Sequence, residues 1–409
     1  MNRPQPTHPR ASPTGGAFGD ATGVLTAGFV TVLVGFSSSY PLIVQTAAAM
    51  GLSADQLATM TAALSLGMGL TCLVPSLWWR LPVVIAWSTP GAALLALSLR
   101  DIPLDQAVGA FIACAVLLTA VGASGVFERW MHRIPLSLAS ALLAGVLVRF
   151  GIDIFPALER APWTVLPMLL VLLVGRRLWP RFAVPLSLLA GLFAVALQPG
   201  GLSWPAVAST TVTVQPLAWP PVWSTQAFLG VALPLFVVTM ASQNLPGVAV
   251  LRASGYGHAP ISALLTIVGL ATLLLAPFGA FALNLAAITA ALCMGPEAHS
   301  DPQRRWLAAA AAGLLYLLVA VFAAPLAALF LSLPKELVMT IAGLALLPTI
   351  GRGLHAALAD EAQRDAALVT FLVTASGLTL WGVGPAFWGV VFGLIALIVW
   401  RTPAAKDAK

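Results

Sequence analysis

The chain has 409 residues, of which 59% are hydrophobic and only 8% charged, with a formal net charge of +6. A soluble domain carries roughly 25% charged residues, so most of this surface is built to face lipid, and an array of water-coated domains is excluded. The positive charge is scattered between apolar runs, which speaks for membrane topology and against nucleic-acid binding.

In chain order, residues 1–20 are rich in Pro, Thr, Ser and Gly, contain no apolar h-region, and read as a disordered cytoplasmic tail. Apolar segments follow near 22–49, 56–78, 82–98, 104–126, 134–152, 162–176, 182–198, 226–251, 259–274, 275–295, 306–323, 325–350, 366–380 and 384–400. A spanning helix needs ~20 apolar residues, and the segments at 82–98 and 275–295 are too short or too interrupted for that. Residues 403–409 form a second polar tail. The expected fold class is an all-α polytopic membrane protein with about 14 transmembrane segments. Cys72, Cys114 and Cys293 lie far apart in apolar runs and read as small core residues, with no metal or cofactor implied.

An even number of spans puts both termini on one side, and the distribution of Lys and Arg says which. With the N-terminus inside, sixteen basic residues fall on inner segments, and only Arg100, Arg149, Arg160 and Lys335 fall outside. Both termini are therefore expected in the cytoplasm. Between the seventh and eighth segments runs an uncharged stretch rich in Pro, Thr and Trp, a periplasmic connection over 201–224 with Trp204, Trp219 and Trp223 as interfacial anchors. Loops such as "ERWMHR" and "GRRLWPR" read as cytoplasmic.

That connection is also the midpoint, and the two sides echo each other. Setting Pro41 over Pro246 lays "GFSSSYPLIVQ" on "MASQNLPGVAV", so Ser37, Ser38 and Ser39 meet Ser242, Gln243 and Asn244. Farther on, "AWSTPGAALLA" resembles "LLAPFGAFALN", with Pro90 over Pro277. Seven segments per half is odd, so the halves, 21–200 and 225–402, are expected to be inverted repeats. In the third segment, Thr89 suits an N-cap and Pro90 the first turn of a half-length helix. The tenth repeats the design after Ala276–Pro277, without a capping oxygen. Two such helix ends at mid-membrane would hold an anion with no charged side chain.

The opening span "GFSSSYPLIVQTAAAMGLS", the half-helix "WSTPGAALL" and "ASQNLPGVAVLRASGY" in the eighth segment resemble the benzoate:proton symporter (BenE) family of bacterial inner-membrane carriers. More distantly the layout is similar to the uracil-transporter and anion-exchanger fold. That resemblance implies two inverted sevens, with substrate held between segments one, three, eight and ten. It implies a core bundle of segments one to four and eight to eleven, and a gate that could also form a homodimer. Carried onto this chain, the implied site draws on Ser37, Ser38, Ser39, Tyr40, Ser88, Thr89, Pro90 and Gly91. The second half contributes Ser242, Gln243, Asn244, Phe278, Phe281 and Asn284. Nucleobase carriers of this fold place acids in the eighth and tenth segments; here Ser242–Gln243 and Leu283–Asn284 stand there instead. The implied substrate is an aromatic carboxylate moved with a proton, and the runner-up is another small anion or a nucleobase.

Each residue also has a plainer role. Membrane serines bond their own helix or bridge helices, Tyr40 fits ordinary packing, and Phe278 and Phe281 taken alone fit a core. A buried Asn is costlier to leave unpaired, which favours a pocket or bridging role for Asn244 and Asn284. Arg149 and Asp153, four apart at a helix end, suit a snorkelling ion pair, and His258 suits the interface. For the proton, Asp153, or Glu297 with His299, come nearest the pathway, and the substrate carboxyl itself is a third carrier. An enzyme is excluded because the five histidines are dispersed with no ligand-like spacing. A channel needs a polar stripe along several spans, whereas polarity here concentrates at mid-depth in four segments.

Overall fold

The structure, a computed structural model, describes residues 17–127, 136–180, 182–198, 214–286, 288–381 and 383–400. Most of the two tails, the "ERWMHR" loop, Arg181 and the connection up to residue 213 with Trp204 lie outside the described residues. Apolar runs rich in Leu and Ala form α1 (Ala17–Ala49), α2 (Ala54–Trp79), α3 (Thr89–Ser98), α4 (Leu104–Ala123), α5 (Leu136–Ile152), α6 (Ile154–Arg160), α7 (Pro162–Leu178) and α8 (Ala183–Ala196). The second half forms α9 (Thr225–Ala253), α10 (Ile261–Leu275), α11 (Ile288–Met294), α12 (Trp306–Val321), α13 (Ala323–Leu331), α14 (Lys335–Leu358), α15 (Arg364–Ser376) and α16 (Pro385–Val399). Among the described residues, eight helices are long and apolar enough to cross a bilayer.

Local signals explain several boundaries. Ser53 and Gln56 close a capping box at the start of α2, and Arg80 ends it in the left-handed region before Pro82. Pro41, Pro75, Pro167 and Pro348 sit inside helices that nonetheless continue. The apolar run expected as one segment over 325–350 is two helices, because Pro334 cannot extend α13 and Lys335–Glu336 open α14 afresh.

At the centre, β1 (Ile85–Trp87) and β2 (Leu283–Leu285) pair antiparallel, with Ile85 opposite Leu285, Ala86 opposite Asn284 and Trp87 opposite Leu283. Val83, Val84 and Ile85 favour this extended run, and the ribbon is lengthened by Ser88 N–H to the Ala282 carbonyl (3.0 Å) and Ala286 N–H to that of Val84 (2.9 Å). Buried strand edges need partners, and side chains of neighbouring helices supply them. Cys72 Sγ on α2 accepts from Ile85 N–H (3.0 Å), Thr272 Oγ1 on α10 from Leu283 N–H (3.2 Å), and Asn244 Oδ1 on α9 from Leu285 N–H (2.9 Å).

The tenth segment departs from its expected start. Ala276–Phe278 is a single 3-10 turn, reversed by Gly279 at φ 85°, and the helix proper begins only at Ile288, after β2. A glycine tolerates that φ at no steric cost, so the chain turns back into the ribbon where a helix would have run on. Pro277 is therefore not the counterpart of Pro90.

The helices pack as two groups around this ribbon. One contains α1 to α4 with α9 to α12; α2 lies along α12, and α4 along α10. There Gly69 and Gly313 let α2 and α12 touch, since a Cβ on Gly313 would lie 3.0 Å from the Gly69 carbonyl. The other group contains α5 to α8 with α14 to α16, held by α14 on α5 and α15 on α5 and α16. A small core of Leu138, Ala141, Ala357, Ala366, Ala367 and Ala396 seals it.

Candidate functional site

Helices α3 and α11 leave the ribbon in opposite directions, so the positive end of each dipole points back at it. The α3 end is already capped, and by Ser88: its Oγ accepts Gly91 N–H (3.1 Å), while Thr89, the expected cap, is the first helical residue. Ser88 Oγ also accepts from Thr239 Oγ1 on α9 (3.0 Å). A hydroxyl has two lone pairs and one hydrogen; both lone pairs are in use, and the hydrogen has no acceptor among the described residues. Asn284 faces the same carbonyl as the Ser88 amide, donating from Nδ2 to Ala282 O (3.2 Å), and its Oδ1 is buried without a partner among the described residues. Ser88 and Asn284 both have zero exposure. A spare donor and a spare acceptor thus lie on two fully buried residues that both donate to the Ala282 carbonyl, Ser88 from its amide and Asn284 from its side chain.

The other expected residues divide around this point. Ser39 Oγ accepts from Trp87 Nε1 (2.9 Å) and donates to the Gly35 carbonyl (2.6 Å), tying α1 to the ribbon. Ser37 and Ser38 donate to their own helix at Leu33 and Val34, and Ser242 does so at Val238. The Tyr40 hydroxyl meets Thr61 Oγ1 on α2 (2.9 Å), and its ring packs on Phe36 and Phe330, with the ribbon's Trp87 ring 6.3 Å away. Phe281 is fully buried against Phe111, and Phe278 lines a separate cavity among α2, α10 and α12. Pro90 and Gly91 are buried in the first turn of α3, and Thr89 is half-buried. Asn244 stands at the end of a π-helical turn, Met240–Asn244, which re-aims it at β2.

Two cavities open at opposite ends of the interface between the helix groups. One, of about 710 Å³, lies among the C-terminal ends of α1, α3 and α5 and the start of α14, and includes Gln45, Arg100, Asp153 and Lys335. The other, of about 270 Å³, lies among α5, the π-turn of α9 and the end of α14, and includes Ser242, Gln243 and Arg352. Asp153, just past α5, forms no ion pair with Arg149: the Arg149 guanidinium lies against Gly377, while Asp153 lines the larger cavity. Glu297 is exposed and His299 buried in the turn after α11, far along the chain from Asp153 and beside a different groove. Trp87, Thr239 and Gln45 were not singled out by the sequence, although Trp87 and Gln45 lie inside the motifs that were.

A family model described as benzoate membrane transport protein matches residues 20–399. The chain belongs to this family. Relatives of this benzoate-transport family member include inner membrane protein YdcO of Escherichia coli K12, 46% identical over 388 residues, covering 94% of this chain and 97% of that one. A benzoate membrane transport protein of Acinetobacter baylyi is 37% identical over 384 residues, covering 93% and 95%. Among solved structures, the transmembrane domain of the cyanobacterial bicarbonate transporter BicA matches with a TM-score of 0.57 at 16% identity, over 95% of this chain and 99% of that one. SLC26A9 matches with a TM-score of 0.62 at 13% identity, over 98% and 74%. At those identities the likeness establishes the fold alone: a multi-span, mostly helical membrane transporter fold.

Proposed function

We propose that this protein imports benzoate or a similar small aromatic carboxylate across the inner membrane together with a proton, by alternating access. The observation that carries the reading is the unused pair beside Ala282, the Ser88 hydrogen and Asn284 Oδ1. A protonated carboxyl group has the complementary chemistry, an O–H to donate to Asn284 and a carbonyl oxygen to accept from Ser88. A bare carboxylate would set lone pairs against the Asn284 oxygen. The proton then rides on the substrate, and no acidic relay is needed at the crossing; Asp153, Glu297 and His299 would matter only where it is loaded or released. The 37% identical relative named for benzoate transport supports the ring.

In this reading Ser37, Ser38, Ser39, Thr89, Pro90, Gly91, Gln243 and Asn244 shape or approach the site. The chain forms about 14 segments in two inverted repeats, 21–200 and 225–402, with both termini cytoplasmic. The group containing α5 and α14 acts as the gate and as a dimer surface. The test is uptake of labelled benzoate into proteoliposomes under an inward proton gradient. Accumulation is expected to collapse with a protonophore and to be inhibited by aromatic acids, not by sulfate or uracil. Asn284→Leu should abolish it in protein that still elutes as a single species. Sulfate or uracil exchange without benzoate uptake would keep the fold and replace the substrate.

A further inference from the structure

The 710 Å³ cavity is within the ~300–1,000 Å³ of ordinary ligand pockets, and it stands apart from the crossing residues. Its walls are apolar and partly aromatic, with Phe150, Phe330, Val338 and Met339. Its polar groups come from four elements: Gln45 on α1, Arg100 after α3, Asp153 between α5 and α6, and Lys335 at the start of α14. None of the three charged side chains forms an ion pair or hydrogen bond among the described residues, whereas Arg304–Asp301 and Arg364–Glu361 do pair elsewhere. Gln45 adds a second, independent signal, because its Nε2 is buried and has no partner among the described residues. Buried donors are rarely left so without a ligand or water to take them.

Two cations, one carboxylate and an unused amide donor, backed by aromatic walls, describe a receptor for a small aromatic anion. We propose that this cavity is a docking site where the ionised carboxylate waits before it reaches the crossing, its oxygens on Arg100, Lys335 and Gln45 Nε2 and its ring among Phe150, Phe330 and Met339. The inference rests on the carboxylate-transport reading, but it concerns a different site and a different form of the ligand. Here the anion is held in its charged form by cations; at the crossing it is neutral. The Asp153 carboxylate works against docking, and the site holds the anion because two positive charges outweigh one negative.

The experiment is benzoate counterflow in proteoliposomes, which needs no proton gradient, so a defect in coupling does not mask a defect in docking. Arg100→Gln and Lys335→Gln should each raise the half-saturating concentration about tenfold, as expected for losing one steering charge, while the maximal rate falls far less. Asp153→Asn should move the constant the opposite way. Arg160→Gln, which removes an exposed cation outside the cavity, should stay near wild type. Raising the ionic strength from ~0.02 M to ~0.3 M should erase most of the difference between wild type and the Gln variants. If both Gln variants fail to elute as a single species, the sign of the Asp153→Asn shift and the salt dependence of the wild type decide the matter. Constants that ignore charge and salt overturn the docking site and leave the transport reading standing. Wild-type protein that carries no benzoate at all overturns the transport reading instead.

Discussion

Asn244→Ala offers the sharpest view of how the crossing is held together. Asn244 is fully buried and its Oδ1 is the acceptor for Leu285 N–H at 2.9 Å. Leu285 sits opposite Ile85 in the ribbon, yet its N–H points outward to α9. Truncation strands this donor in a dry interior, at a cost of ~1–3 kcal/mol. At one factor of ten per ~1.4 kcal/mol, local opening of β2 becomes about 5- to 140-fold more frequent. Hydrogen exchange read by mass spectrometry on peptides covering 283–286 reports that opening directly. Exchange in Asn244→Ala should quicken within that range, while peptides from α7 and α15, remote from the ribbon, keep their rates. Asn244→Asp retains an acceptor of the same shape and should protect Leu285 nearly as wild type does. Wild-type exchange in the Ala variant would mean that the amide does not depend on Asn244, and that the outward-facing edge of β2 is satisfied some other way.

Other outcomes follow from neighbouring contacts. Trp87→Phe removes the donor to Ser39 Oγ but keeps the ring against Phe36, so it should lower stability by only ~0.5–1.5 kcal/mol, measured by thermal unfolding in detergent. Gly313→Val forces α2 and α12 apart against the Gly69 carbonyl and Leu73; overpacking of this kind costs ~1–3 kcal/mol or more, seen as a drop in the yield of monodisperse protein. Tyr256, in the turn between α9 and α10, donates to the Pro302 carbonyl (2.9 Å), and its phenol is raised above the usual 10.0 mainly by burial. The neutral form is therefore favoured in the fold. Its contribution should be constant below pH ~10 and be lost as pH rises through the raised value, a loss absent from Tyr256→Phe in an alkaline unfolding series.

How much of this was legible in the chain depends on whether a residue's role is local. The helix start in Ser-Thr-Pro-Gly is legible and present, whereas the all-α expectation misses the strand before it, because the β-branched run Val83–Ile85 favours extended backbone but its partner strand lies some 200 residues away. The one-residue error, Ser88 rather than Thr89, arises because either hydroxyl can cap and only the backbone decides. Pro277 misled because a proline can open a helix or a tight turn equally well; Gly279 at positive φ selected the turn. The resemblance alone places Phe278 and Phe281 at the site, and their surroundings are set by α2, α4 and α12, partners no local pattern names. The serines of α1 illustrate the opposite limit. Their polarity is conspicuous in the sequence, yet Ser37 and Ser38 spend it on their own helix.

The ribbon also bears on how the protein is made. Its strands lie about 200 residues apart in the chain, at 85–87 and 283–285, and the ribosome delivers residues at only ~5–20 per second. For some ten seconds or more, the first half lacks β2, so the Ser88 N–H and the Val84 carbonyl have no strand partner in a medium that offers no hydrogen bonds, although Ile85 N–H keeps Cys72 Sγ. A chaperone, the insertion machinery or a film of water must tend that open edge until the second half arrives. A fragment ending near residue 200 should therefore insert and yet stay protease-sensitive around Ile85, and become resistant when the complementary fragment is co-expressed.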